Sequence, residues 1–381
     1  MDKINEWKYT ECSKTGQKAI RETDTLDTFF DSSWYFLRFC SPESTDVPFN
    51  EKDTSYWMPV DHYIGGIEHA ILHLLYSRFF LRALKHCGYK LPKEPFKKLI
   101  TQGMVCHETF RSKENQWFEP ATVMYEKNKY WIKSPNGKKE VFKGRSEKMS
   151  KSKKNIVDPG PIISEYGADT ARLFMISDSP PERDLEWSID GIKATHKYLD
   201  KIFVFLANKL TFSTDIKNLN NINDEEKRIY IFVNTSIENF SNDIKNYRFN
   251  TAVAKLRELS NTLLKSKLNK EMFDFSWSIY LRLIYIIIPH FAQELASKSG
   301  LTCLLDELEW PVSDKKISEN KSVSMVIQIN GKKKSLISIP KDIDKDSLIE
   351  TLKSTNLKED IIGKKIKKVI FIPNKIINFV I

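Results

Sequence analysis

Residues Gly144 to Gly160 read GRSEKMSKSKKNIVDPG, and Lys148 to Ser152 within them spell KMSKS. Two lysines three apart on a backbone of small residues can bring two ammonium groups to one polyphosphate. Ser150 and Ser152 leave room beside them and add hydroxyl donors, with Met149 the single hydrophobic residue of the five. Asp158-Pro159-Gly160 reads as a turn that closes the segment. A lysine-rich stretch is more often just a solvated loop, so a phosphate loop requires nucleotide-binding architecture around it.

Upstream, Pro59 to His86 (PVDHYIGGIEHAILHLLYSRFFLRALKH) reads as a short strand, a Gly65-Gly66 turn and a long helix with apolar positions at Ile71, Leu74, Leu75 and Phe79. Two glycines let a ligand approach bare backbone, and Glu68 in the helix's first turn offers two acceptor oxygens for the vicinal hydroxyls of a ribose. The plain alternative is a tight turn in which Glu68 only favours the positive end of the helix. His69 and His73, four apart beside Glu68, also have metal-ligand spacing. The order is EHxxxH rather than HExxH, and no third ligand is evident, so a neutral histidine in a pocket or core is the preferred reading. In Thr25 to Cys40 (TLDTFFDSSWYFLRFC), Asp31-Ser32-Ser33 reads as a cap feeding a buried helix. Phe29, Ser32 and Tyr35 fall at spacings of three there, and present either a ring and two hydroxyls to a pocket or part of a core.

A chain of 381 residues, 41% hydrophobic and 12% aromatic, has material for two or three globular domains. The first 24 residues are polar and read as a linker or remnant. Lys97 to Cys106 reads as one strand, residues 108–143 as a β-rich excursion with a Pro135–Lys138 turn, and Gly167 to Ile176 as a helix. From Asp190 to Ser299 four or five amphipathic helices form a bundle. Ser313 to Ser322 is a polar linker, followed by a small basic α+β module with a helix near Ser347 to Leu357. Its lysines (Lys332 to Lys334, Lys364, Lys365, Lys367, Lys368) suit phosphates or a solvated face. A net charge of +10 favours a polyanionic partner, weakly. Five cysteines, widely spaced and without a CxxC pair, point to a reducing compartment. No apolar run approaches the roughly 20 residues of a membrane span, and the expected location is the cytoplasm.

Taken in order, DTLDTFFDSSWYFLRF, HYIGGIEHAILHLLYSRFF, LITQGMV, KMSKSKKNIVDPGPIISEYGADTARLFMISDSPPERDLEWS and IPNKIINFVI resemble the bacterial leucyl-tRNA synthetases, of the class I group. KMSKS by itself marks only the class, whereas SSWYFLRF and GGIEHAILHLLYSRFF are similar to the leucine enzymes. The resemblance implies a multidomain α/β plus all-α protein. Residues 25–188 would be part of a Rossmann-type domain with the KMSKS loop, 189–312 a helical anticodon-type bundle, 313–322 a linker and 323–381 a tRNA-binding module. It implies activation of leucine by ATP, with Mg²⁺ arriving on the phosphates, and transfer to the terminal adenosine of tRNA(Leu). Lys148 and Lys151 would hold the phosphates, with Met149, Ser150 and Ser152 completing the loop. Gly65 and Gly66 would lie against adenine, Glu68 would take the ribose, and Phe29, Ser32, Tyr35 and His69 would line the leucine pocket, with no protein metal ligand. The family's HIGH-type signature and editing domain are expected to lie outside this chain, which reads as a C-terminal portion needing an N-terminal half as partner. Where the family often has a cysteine pair near the N-terminus, Cys12 is followed by Thr15. The rival readings are a non-catalytic tRNA-binding protein and, more remotely, a metal-dependent hydrolase on the EHxxxH helix.

Overall fold

The computed structural model describes residues 1–135, 137–216, 222–314, 322–340, 342–353 and 366–381. They form two compact units, Met1–Lys201 with Asn246–Val253, and Ile202–Lys245 with Ala254–Ile381.

The first unit begins with more structure than its polarity suggests. Helix α1 (Asn5–Lys8) leads into a hairpin of β1 (Tyr9–Glu11) and β2 (Lys18–Ile20). Gly16, at φ +68°, turns the chain, and its N–H donates to the Cys12 carbonyl at 2.8 Å. The Thr15 hydroxyl, then the Lys14 and Thr15 amides, hydrogen-bond the Cys12 thiol and hold its pKa below the ordinary value.

Helix α2 (Thr28–Ser32) is capped by Asp27, whose carboxylate accepts from the Phe29 N–H, so the cap lies upstream of the expected Asp31-Ser32-Ser33. Trp34, at φ −140°, separates it from α3 (Tyr35–Cys40), so Phe29, Ser32 and Tyr35 do not share one continuous helix. After α4 (Glu51–Trp57) comes β3 (Tyr63–Gly66), a 3₁₀ turn (Ile67–Ala70), α5 (Leu72–His86) and β4 (Leu99–Gln102). β3 and β4 pair in parallel, from Tyr63↔Leu99 to Gly66↔Gln102, as a helix-linked crossover requires. Gly65 and Gly66 therefore end a strand rather than form a turn, and Glu68 and His69 sit in the 3₁₀ turn before the α-helix. Phe36, Leu37, Phe49, Met58, Leu81 and Leu91 form the local core. The anticipated apolar face of α5 is not the buried one. Ile71, Leu75 and Phe79 are 76%, 61% and 69% exposed, whereas His73, Ser77 and Leu81 are buried.

The single strand expected over Lys97 to Cys106 is two, β4 and β5 (Val105–His107), because the chain bends at Gly103 against the Arg183 backbone, where a Cβ would overlap. An antiparallel sheet follows, of β6 (Phe110–Arg111), β7 (Trp117–Phe118), β8 (Val123–Glu126), β9 (Lys129–Ser134) and β10 (Gly137–Lys143), in the order β7-β6-β10-β9-β8. Asn136 of the expected turn lies outside the described residues. β11 (Glu147–Lys148) then returns antiparallel to β5. Asp158-Pro159-Gly160 starts a helix rather than closing a loop. The Asp158 carboxylate accepts from the Gly160 N–H, and Pro159 takes the first position of α6 (Pro159–Tyr166), where its missing N–H costs nothing. α7 (Ala168–Ser177) and β12 (Leu185–Glu186) complete the run, with β12 parallel to β5. Ile162, Phe174 and Leu185 pack there with Ile192 of α8 (Ile189–Leu206).

In the second unit the bundle continues with α9 (Asp224–Lys245), α10 (Phe249–Leu263, from Ala254 onward), α11 (Lys270–Ile284) and α12 (Pro289–Lys298). α11 is the central helix, with Trp277 and Tyr280 fully buried. The terminal module comprises β13 (Ser322–Ile329), β14 (Lys332–Pro340), α13 (Lys345–Lys353), β15 (Lys368–Ile372) and β16 (Ile376–Val380). The sheet order is β14-β13-β16-β15, with β13 and β16 parallel. Asn330 and Gly331, both at positive φ, make the tight β13–β14 turn. Met325, Ile327, Ile339, Leu348, Leu352, Ile377 and Phe379 give the module a core of its own. The expected linker falls largely on residues outside the described ones, as do Lys364 and Lys365, whereas Lys332, Lys333, Lys334, Lys367 and Lys368 are exposed. Among the described residues no helix is long and apolar enough to cross a membrane.

Candidate active site

The C-terminal end of β3 and the segment leaving β11 meet. Gly65 and Gly66 are held extended by pairing with Thr101 and Gln102, and the 3₁₀ turn that follows projects Glu68. A Cβ on Gly66 would collide with the Glu68 carboxylate, so a bare Cα there keeps that position open. Lys148, at the end of β11, reaches across with its Nζ 3.0 Å from Glu68 Oε1. Glu68's own backbone N–H, then Lys148, keep its pKa below the usual carboxylate value. Two groups eighty residues apart in sequence thus share one small polar site.

Beyond Lys148 the chain turns tightly. Ser150 and Ser152 share a hydroxyl hydrogen bond of 2.8 Å, the Lys153 and Lys154 amides donate to the Ser150 and Lys151 carbonyls, and Lys154 adopts φ +54°. Lys153 forms an ion pair with Glu147. Lys151 is exposed and pairs with no carboxylate among the described residues. Met149 donates its N–H to the Val105 carbonyl at 3.1 Å, extending the β11–β5 pairing.

The expected leucine-side residues lie against the same turn. The Phe29 ring stacks on Tyr76 at 6.0 Å and meets the edge of His69 at 6.3 Å. Tyr35 stacks on His73 at 5.8 Å and hydrogen-bonds Tyr63. Burial, then that bond, push the Tyr63 phenol well above its ordinary pKa. Ser32 is turned inward to its own helix, its hydroxyl donating to the Thr28 carbonyl at 3.3 Å. His69 Nδ1 is buried with no hydrogen-bond partner, a polar atom that a ligand could satisfy. His73 is buried against Ser77, and desolvation, followed by the charge of His69, lowers its pKa. Among the described residues no group of three His, Cys, Asp or Glu side chains is arranged to hold a metal ion. A separate cleft of about 310 Å³, lined by Gln102, Gly103, Met175, Pro181, Arg183 and Phe249, contains none of these residues.

Sequence reasoning did not single out Tyr63, His107 or Asn155. Asn155 is fully buried although it lies among lysines, and its signal was that one uncharged polar residue separates KSKK from the apolar IV pair.

Residues 140–188, which include the lysine loop, match the class I tRNA synthetase family (I, L, M and V), and 226–349 match the anticodon-binding domain of tRNA ligase. The chain is 44% identical to leucine–tRNA ligase of Paramagnetospirillum magneticum over 98% of its length and 42% identical to that of Orientia tsutsugamushi over all of it. Along nearly its whole length the chain is homologous to leucine–tRNA ligases. The chain spans under half of these relatives, 44% and 45% of their lengths. A solved ternary complex, LeuRS–tRNA–LeuAMS of Agrobacterium radiobacter K84, is similar with a TM-score of 0.75 at 28% identity, over 98% of this chain and 44% of that one.

Proposed function

We propose that this chain carries the ATP-binding loop and the tRNA-binding parts of a leucine–tRNA ligase, whose catalysis also draws on the N-terminal part of the family's length. The observation that supports the reading is the meeting of Lys148 with Glu68, which brings a cation of the lysine loop and a carboxylate able to accept from a ribose to one site. In the first step a leucine carboxylate oxygen attacks the α-phosphorus of ATP and the bond to the β-phosphate oxygen breaks, releasing pyrophosphate. Negative charge builds on the leaving group, where Lys148 and Lys151 stabilise it. Glu68 accepts from the ribose hydroxyls, and Gly65 and Gly66 allow adenine close to the strand. Phe29, Tyr35 and His69 bound the leucine side, with Ser32 at its edge. Mg²⁺ rides on the phosphates and water. In the second step a ribose hydroxyl of the terminal adenosine of tRNA(Leu) attacks the leucyl carbonyl and AMP departs. The reaction belongs in the cytoplasm.

Residues 25–188 act as half of a Rossmann-type domain, 189–312 as the anticodon-type bundle and 323–381 as a tRNA-binding module. Leucine-dependent exchange of pyrophosphate into ATP tests this. Exchange is expected when the chain is mixed with the N-terminal part of a family member, and its absence in every combination would reject catalysis. A second reading, a non-catalytic tRNA-binding protein, draws on the anticodon-domain match and the exposed lysines of the terminal module. It predicts tRNA binding without exchange.

A further inference from the structure

We propose that Asn155 is the positioning residue of the lysine loop, holding its backbone in a phosphate-ready form before any nucleotide arrives; the link to phosphate rests on the ATP reading above. The loop has little apolar material of its own. Lys151, Ser152 and Lys154 are exposed and Met149 is half-buried, so polar contacts must hold its shape. Asn155, with 0% exposure, provides them. Its Oδ1 accepts from the Ser150 N–H at 2.8 Å, in the middle of KMSKS. Its Nδ2 faces three carbonyls, Glu147 at 3.1 Å, His107 at 3.2 Å and Lys148 at 3.4 Å. Two amide hydrogens serve the nearer two best, and the third is at most a shared bond. The Asn155 carbonyl in turn accepts from His107 Nδ1–H at 3.1 Å, which fixes that imidazole's tautomer.

One side chain therefore ties the entry strand, the centre of the loop and β5 together. The amide orientation follows from its partners, since an N–H must meet the oxygen and carbonyls must meet the nitrogen. No other residue type combines this acceptor and two donors on so short a stem. Aspartate lacks the donors and glutamine is a methylene too long. Alanine would leave the half-buried Ser150 N–H without that acceptor. Lys153 paired with Glu147 braces the loop's rim, and its amide donates to the Ser150 carbonyl, but neither side chain offers an acceptor to the Ser150 N–H, which Asn155 satisfies.

The test pairs peptide-resolved amide hydrogen exchange with ATP·Mg²⁺ titration on the full chain, alone and mixed with the N-terminal part of a family member. In Asn155→Ala, exchange across residues 147–154 should quicken by about tenfold while the 105–107 strand keeps wild-type rates, and ATP affinity should fall by about tenfold. Asn155→Ser, which keeps a polar group in the buried position but is too short to bridge, should behave alike and serves if the alanine variant does not fold. Unchanged loop exchange in a folded variant overturns the proposal. Quickening of loop and β5 alike assigns Asn155 a general structural role and also overturns it, as does a looser loop with wild-type ATP affinity. If the wild type binds no ATP in either setting, the catalytic reading fails and the link to phosphate with it, whereas loop exchange still decides whether Asn155 pins the loop.

Discussion

Lys148 and Lys151 share a loop but not an environment. Lys148 is already engaged by Glu68, so ATP would have to displace it, whereas Lys151 stands in solvent. Replacing Lys151 by alanine should remove a charge-assisted contact of roughly 1.5–3 kcal/mol and slow pyrophosphate exchange by about 10- to 100-fold. An undiminished rate beside an active wild type would remove Lys151 from the mechanism. His73 supplies a pH test at the same scale. Its folded pKa lies below the ordinary 6.5, so its contribution to stability is complete above that value and is lost as the pH falls towards the folded pKa. Thermal melts of His73→Gln should lack the part of the wild-type loss that begins near pH 6.5. Residue roles were legible where the type carries the chemistry, as for lysines beside a polyphosphate or a carboxylate beside ribose. Asn155 and Tyr63 were not, because their importance lies in which partners the fold brings to them.

Helix α5 departs most from its sequence pattern. The 3.6-residue periodicity of Ile71, Leu75 and Phe79 is real, but in this chain that stripe faces solvent and the buried positions include His73 and Ser77. Among the described residues β3, in a two-stranded parallel sheet, has one paired neighbour, an arrangement seldom left uncovered. Both features fit a surface completed by the N-terminal part of the family's length. Phe79→Ser should therefore change the melting of the chain itself by no more than about 0.5 kcal/mol while abolishing recovery of exchange on mixing. Equal recovery would show that this face is not the joint. Along the same helix Arg78 and then Arg82 bond Glu94 and together hold its pKa down to about 2. Its stabilising share is present above the ordinary 4.5 and fades as the pH drops from 4.5 towards 2. All three side chains are more than a third exposed, so screening limits this to about 1 kcal/mol or less. Acid titration of Glu94→Gln against the wild type measures it.

For the whole molecule, the terminal module has its own core and an exposed lysine set, so it can be removed as a piece. Deleting residues 321–381 should weaken tRNA binding and flatten its salt dependence, with each lost phosphate contact lowering the slope by roughly 0.7–0.9. An unchanged slope would deny the module that role. The sequence by itself determined the local content of this protein: the lysine loop, the strand–glycine–helix order, the helical run and the terminal strands. Each is written in short-range periodicity or in residues with special backbone needs. Only the tertiary structure decided what meets what. Pairing of β3 with β4 turned a presumed glycine turn into a strand end, the bend at Gly103 split one strand into two sheets, and β11 brought Lys148 to Glu68. Those outcomes depend on contacts between residues tens of positions apart, whose energies no local pattern records.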